Sequence, residues 1–172
     1  MERFVGLLLD LFPMLTSLSV QYIALERLES IYKACNLVGN ICVHATQEAK
    51  QPMAVIIPHE AHLRQFLDVK GIDSSQQLDT LCHDPKVKEI VLKECNAVGK
   101  KNGFKPTELL QAVILTAEEW TPENGLVTAA QKIQRAKIAK MFRDDIEVGF
   151  FADAVSAVDL TCLDIQQVYK NQ

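Results

Sequence analysis

The chain has 172 residues, with 18 Lys and Arg against 22 Asp and Glu and a formal net charge of −4. Hydrophobic residues make up 48% and charged residues 23%, which fits a globular chain and excludes a disordered one, poorer in apolar side chains. The acidic balance gives no basic field to offset phosphate charge, so nucleic acid is not an expected partner, and the length suits a single domain.

The first segment, Met1 to Val20, is apolar from Phe4 but is interrupted by Asp10 and Pro13. A spanning helix needs about 20 mostly apolar residues, so none is expected here, and no later segment approaches that length. Arg3 ahead of Leu7-Leu8-Leu9 has the order of a signal peptide, but Asp10 falls inside the would-be apolar region. Residues 1–20 are therefore read as an atypical N-terminal segment.

Leu25, Leu28, Ile31, Tyr32 and Cys35 recur at three- and four-residue steps, with Glu26, Arg27, Glu29 and Lys33 on the other face. This predicts an amphipathic helix. Asn40 to Gln47 alternates and predicts a strand. Gln51-Pro52 signals a turn, and Ala54 to Ile57 is a short apolar run stopped by Pro58, so the pair reads as a hairpin.

Glu60 to Val69 reads as a helix with Leu63, Phe66 and Leu67 inward and Gly71 beyond its end. Ser74 or Ser75 is the expected cap of a short helix through Leu78 and Leu81. Asp84-Pro85 predicts a helix start, and Val87, Ile90, Val91, Cys95 and Val98 form its apolar stripe. Lys100, Lys101 and Gly103 close it, with cations at the negative end of the helix dipole. Pro106 to Leu110 reads as a helical turn, Ala112 to Ala117 as a third strand and Trp120 to Gly125 as a loop. Gln131 to Asp145 is the expected last amphipathic helix. Helices mix with short strands without βαβ alternation, so the fold class is α+β: a small mixed or antiparallel sheet flanked by helices.

The five cysteines (Cys35, Cys42, Cys82, Cys95, Cys162) include no CxxC pair and are odd in number. They read as reduced, mostly buried thiols of a cytoplasmic chain. His59 and His62 lack an evident third ligand, so no metal site is expected. Chemistry concentrates in Trp120 to Arg135, WTPENGLVTAAQKIQR. Lys132, at the expected start of the last helix, can project a positive charge onto a carboxylate or phosphate. The plainer reading is an exposed lysine in a solvated face shared with Arg135 and Lys137.

The run WTPENGLVTAAQKIQRAKI closely resembles the C-terminal signature of long-chain fatty acyl-CoA synthetases, of the adenylate-forming superfamily, and most of all their fungal-type branch. Tyr22 to Glu29 followed by Asn40 to His44 resembles the family's segment just after its interdomain hinge. Ala54 to His59 (AVIIPH) is similar to a family strand that ends in a Val/Ile-Pro step. The three occur in family order and spacing over Gln21 to Ile146, which the resemblance marks as a lid-like C-terminal domain. It implies the family reaction, in which ATP and a fatty acid give an acyl-adenylate and pyrophosphate, and CoA thiol then displaces AMP to give acyl-CoA. ATP, CoA and Mg2+ are the cofactors implied for the complete enzyme, and an N-terminal adenylation domain is the implied partner. The family's catalytic lid lysine corresponds to Lys132. The superfamily's common Ser-Gly before that lysine is replaced here by Ala130-Gln131.

The family's phosphate-binding loop and hinge have no counterpart in this sequence, and Val20-Gln21 stand where Gly-Glu is expected. The chain alone is therefore expected to be unable to make acyl-adenylate. Asp144 to Val148 is echoed by Leu163 to Tyr169, and Gly149 to Cys162 between them has no family counterpart. Residues 147–172 thus read as an atypical insert plus a family-like helix end. Two origins stand open: an altered gene model with translated intron, or a lineage-specific extension. The alternative functional reading is a non-catalytic interaction or regulatory module that retains the lid fold, supported only by the Leu/Phe-rich N-terminus. Peripheral contact with endoplasmic reticulum, lipid-droplet or peroxisome membranes goes with the family resemblance.

Overall fold

A computed structural model describes residues 24–46 and 49–156, with side chains through Gly149. The readings of residues 1–20, of Leu163 to Tyr169 and of Cys162 lie outside them. Helix α1 occupies 24–32 of the described chain. After it come β1 (Val38–His44), β2 (Met53–Pro58), α2 (Glu60–Val69), α3 (Leu78–His83) and α4 (Pro85–Lys101). A 3-10 turn (Pro106–Glu108), β3 (Ala112–Leu115), α5 (Arg135–Met141) and α6 (Arg143–Ser156) complete the order.

The sheet has the order β1-β2-β3. β1 and β2 form the expected antiparallel hairpin, and β3 joins β2 in parallel, with Met53 opposite Ala112 and Ile56 opposite Leu115. The sheet is therefore mixed. Its register slips between Val38 and Asn40. Gly39 sits in that slip, where an added Cβ would lie 3.1 Å from the Ile57 carbonyl oxygen, so the close approach of the two backbones suits a residue without a side chain.

Both faces of the sheet are covered, which is why β2 and β3 read as continuous apolar runs rather than alternating ones. Ile41, Val43, Ala54, Ile56, Val113 and Leu115 meet Leu28 and Tyr32 of α1, Leu63 and Leu67 of α2, and Val87, Val91 and Cys95 of α4. On the opposite face, Cys42, Met53, Val55 and Ile114 meet Trp120, Leu126, Val127, Ile138 and Ile146. Residues 120–149 thus form the second cover. Gly149 of α6 brings that helix against β2, since a Cβ there would come within 2.2 Å of the Met53 methyl carbon.

Local chemistry sets the helix ends. The Asp84 carboxylate accepts from the Lys86 amide at 2.8 Å, as the Asp-Pro start predicts. Past α4, the Phe104 amide donates to the Gly99 carbonyl and the Gly103 amide to that of Lys100, with Gly103 at φ 79°. Past α2, Ile72 and Gly71 donate to Leu67 and Asp68 in the same pattern, with Gly71 at φ 71°. Both are Schellman ends, and both place Gly where a left-handed residue is needed.

Three expectations are corrected. Neither Ser74 nor Ser75 caps α3. Ser74 donates to the Asp68 carboxylate, Ser75 donates to Asp73, and α3 follows Gln77, which makes no side-chain cap bond. Arg64 holds the approach to α3 instead, donating to the Ser74 and Gln76 carbonyls. The last helix does not begin at Gln131 or run unbroken to Asp145. α5 starts at Arg135, the helix is interrupted at Phe142, and α6 resumes from Arg143 to Ser156. Glu29, assigned from its spacing to the solvated face of α1, is buried at 5% exposure.

Candidate functional site

The loop ahead of Lys132 is rigid because its side chains satisfy its own backbone. The Asn124 side-chain oxygen accepts from the amides of Thr121 and Leu126 at 3.0 and 3.2 Å, and its amide nitrogen donates to the Glu119 carbonyl at 2.8 Å. Gly125, at φ 70°, turns the chain, and Trp120, Leu126 and Val127 anchor it in the second core. The sequence thus places turn formers between apolar anchors, and the loop has one way to close.

Leu126 to Gln134 then folds into a small hairpin. Val127 pairs with Ile133 as an isolated antiparallel bridge. The Thr128 amide donates to the Lys132 carbonyl at 2.9 Å, and the Thr128 hydroxyl accepts from the Lys132 amide at 3.1 Å. The Gln134 amide donates to the Leu126 carbonyl at 2.8 Å. Gln131, immediately before Lys132, takes φ 58°. That left-handed conformation ends the turn and prevents a helix from starting there. Lys132 therefore stands at the end of a hairpin turn, three residues ahead of α5, with its backbone tied and its side chain exposed.

Beneath the hairpin lies a feature missed in the sequence. Glu29 of α1 and Arg135 of α5 form a two-armed ion pair, with side chains 7% and 14% exposed. Arg135 Nη1 bonds Glu29 Oε1, and Nη2 bonds Oε2 at 2.7 Å. The Val43 amide donates to Glu29 Oε1 at 2.7 Å, and the Val43 carbonyl accepts from Arg135 Nη1 at 3.4 Å. One carboxylate and one guanidinium thus tie α1, β1 and α5 together. Burial works against the charge of Arg135, but the Glu29 carboxylate outweighs it and holds the guanidinium pKa above its ordinary value. Burial, reinforced by Glu29, pushes the neighbouring Cys42 thiol up to about 12. A signal for the pair was present: Leu25, Leu28, Glu29 and Tyr32 fall at i, i+3, i+4 and i+7, so Glu29 lies inside the apolar stripe.

The hairpin and α1 flank an open cleft of about 610 Å³. Its lining includes Glu26, Lys33, Asn40, Gln131 and Lys132, with Glu29 and Arg135. Elsewhere, His59 and His62 stack with ring centroids 4.0 Å apart, and His62 Nδ1 lies 2.9 Å from the Asn36 carbonyl. Cys35, Cys42, Cys82 and Cys95 are free and buried. Among the described residues no group of three His, Cys, Asp or Glu is arranged to hold a metal ion, and no helix is long and apolar enough to cross a membrane.

Comparison with known proteins finds similarity over about three quarters of the chain. The chain is 42% identical over 131 residues to long-chain-fatty-acid–CoA ligase 1 of Schizosaccharomyces pombe, a match covering 76% of this chain and 19% of that protein. It is 38% identical over 132 residues to ligase 4 of Saccharomyces cerevisiae, again 76% and 19%. Over this segment the chain is a homologue of the long-chain-fatty-acid–CoA ligases. The likeness reaches ligase 5 of Mus musculus at 31% identity over 127 residues, 74% of this chain and 18% of that protein. The chain thus spans about a fifth of the length of the curated relatives it matches. No protein-family model matches it. Among solved structures, the adenylation domain of a carboxylic acid reductase from Segniliparus rugosus, in complex with AMP and a co-purified carboxylic acid, aligns with TM-score 0.60 at 22% identity, over 76% of this chain and 18% of that one. The adenylation domain of a carboxylate reductase from Mycobacterium chelonae aligns with TM-score 0.58 at 22% identity, over 72% and 17%. The α+β fold with its mixed sheet is therefore one found within adenylate-forming enzymes.

Proposed function

We propose that this domain is the C-terminal lid of a long-chain fatty acid–CoA ligase and that Lys132 is the cation it carries to the reacting groups. The observation that carries the reading is the setting of Lys132: an exposed ammonium on a hairpin whose backbone is fixed at Thr128 and Gln134. A fixed backbone with a free charged tip suits an anion that arrives from outside the domain. The homologous ligases, about five times longer than the matched segment, supply the rest of the argument.

In this reading ATP, Mg2+ and fatty acid bind an N-terminal adenylation domain. The fatty-acid carboxylate attacks the α-phosphorus of ATP and pyrophosphate leaves; CoA thiolate then attacks the acyl carbon and AMP leaves. The contribution of this chain is positive charge at the carboxylate and phosphate oxygens in the first step, withdrawn when the lid moves. Lys132 is the only residue assigned a catalytic role.

The test joins the chain to the N-terminal part of a long-chain ligase from which its own lid has been removed. ATP–pyrophosphate exchange with a fatty acid present is then measured. The isolated chain is expected to show none and the joined protein to restore it. Lys132→Ala should lower the restored rate about 100- to 1000-fold, the usual cost of losing a charge-stabilising group. Exchange by the chain alone overturns the division of labour. A Lys132→Ala protein as fast as the parent overturns the role of the lysine. Binding to the N-terminal part without restored exchange favours the non-catalytic module.

A further inference from the structure

The ion pair beneath the hairpin lies outside the set of groups that touch the reacting atoms, yet it costs more to build than an ordinary surface contact. Two charges have been taken out of water and satisfy each other, while Glu29 also accepts from the Val43 amide and Arg135 also donates to the Val43 carbonyl. The pair also occupies the junction where the second cover meets the rest of the molecule. Glu29 belongs to α1, Val43 to the edge strand β1, and Arg135 is the first residue of α5. Only Ile133 and Gln134 separate Arg135 from Lys132 in sequence, and the Gln134 amide is committed to the Leu126 carbonyl. Any rotation of α5 about its start is therefore transmitted to the hairpin turn.

We propose that Glu29 and Arg135 are positioning residues for Lys132: their paired fork sets the angle at which the Leu126–Gln134 hairpin leaves the domain. This deepens the lid reading and rests on it. A carboxylate–guanidinium fork suits the task because two parallel hydrogen bonds fix orientation as well as distance, which a single lysine contact does not. The apolar contacts of the hairpin, Val127 and Leu126 against Ile138 and Trp120, hold it to the sheet without defining its direction.

Two measurements separate this proposal from the reading beneath it. The first is amide hydrogen exchange on the full chain, following Thr128, Lys132 and Gln134 in the hairpin and Thr116, which donates to the Ile56 carbonyl at 3.0 Å in the sheet. In Glu29→Gln the hairpin amides are expected to exchange about tenfold faster relative to Thr116, the mark of local rather than global opening. Arg135→Lys keeps the charge but loses the fork and should show a smaller relative gain. Equal acceleration of hairpin and sheet, or none, overturns the proposal. The second is exchange kinetics in the joined protein. Glu29→Gln should lower kcat about tenfold with KM for ATP unchanged, since a displaced catalytic group costs rate rather than binding. A raised KM with kcat intact overturns the positioning role. If Lys132→Ala leaves the rate unchanged, the lid reading fails and the proposal with it, even where hydrogen exchange registers a loosened hairpin.

Discussion

On one face of the sheet the cover is helical: α1, α2, α3 and α4 present apolar stripes to Ile41, Val43, Ala54 and Ile56. On the other face the cover is a loop, a small hairpin and the start of two helices broken at Phe142, resting on Cys42, Met53, Val55 and Ile114. The first cover buries the larger set of side chains and draws its stability from area. The second buries fewer and is tied to the first by a buried ion pair, Arg135 of α5 with Glu29 of α1, bonded to the backbone of the edge strand. Area is non-directional, whereas a paired fork is directional. The face that carries the exposed lysine is thus the one oriented by a specific polar contact.

Breaking that contact should give the largest effect on stability. Arg135→Leu leaves the Glu29 carboxylate buried without its partner and should cost about 3–5 kcal/mol, read as a lower urea midpoint. A change below the uncertainty of the midpoint would mean that the pair is solvated in solution and that the two covers do not differ as described. On the helical face, removing the Asp84 cap sharpens the comparison. Asp84→Ala should cost about 1 kcal/mol, and hydrogen exchange should find it concentrated in the first turn of α4 with the hairpin amides unmoved. The smallest effect has the opposite sign. Gln131→Gly relieves a left-handed residue and should stabilise the chain by up to about 1 kcal/mol, less what glycine adds to the freedom of the unfolded chain. A loss of stability in that variant would count against φ 58° as the native conformation of Gln131.

The helical face was legible because its determinants are local. Asp84-Pro85, the stripe of α4 and the glycines beyond α2 and α4 each act within a few residues of one another, and each does what its chemistry predicts. The hairpin of β1 and β2 was legible for the same reason. The determinants of the second face are not local. Glu29 and Arg135 are 106 residues apart, so although the spacing of α1 sets Glu29 within its apolar stripe, nothing local names Arg135 as its partner. The stop before α5 was also hidden, because it comes from Thr128 bonding across the turn and from a left-handed glutamine, neither of which a hydrophobic pattern records. Lys132 is singled out by the resemblance of its neighbourhood rather than by its own composition. Only the structure puts it on a hairpin turn instead of a helix start.

The mixed sheet has a consequence for any shortened form of this chain. β2 pairs with β1 through a nearby turn, but its other edge is closed only by β3, which arrives after α2, α3 and α4 have been traversed. A chain cut ahead of Ala112 would present Val55 and Ile56 beside a row of unpaired backbone groups, the kind of edge that recruits strands from other molecules. Fragments meant to isolate the helical half should therefore extend through Leu115, or they will self-associate.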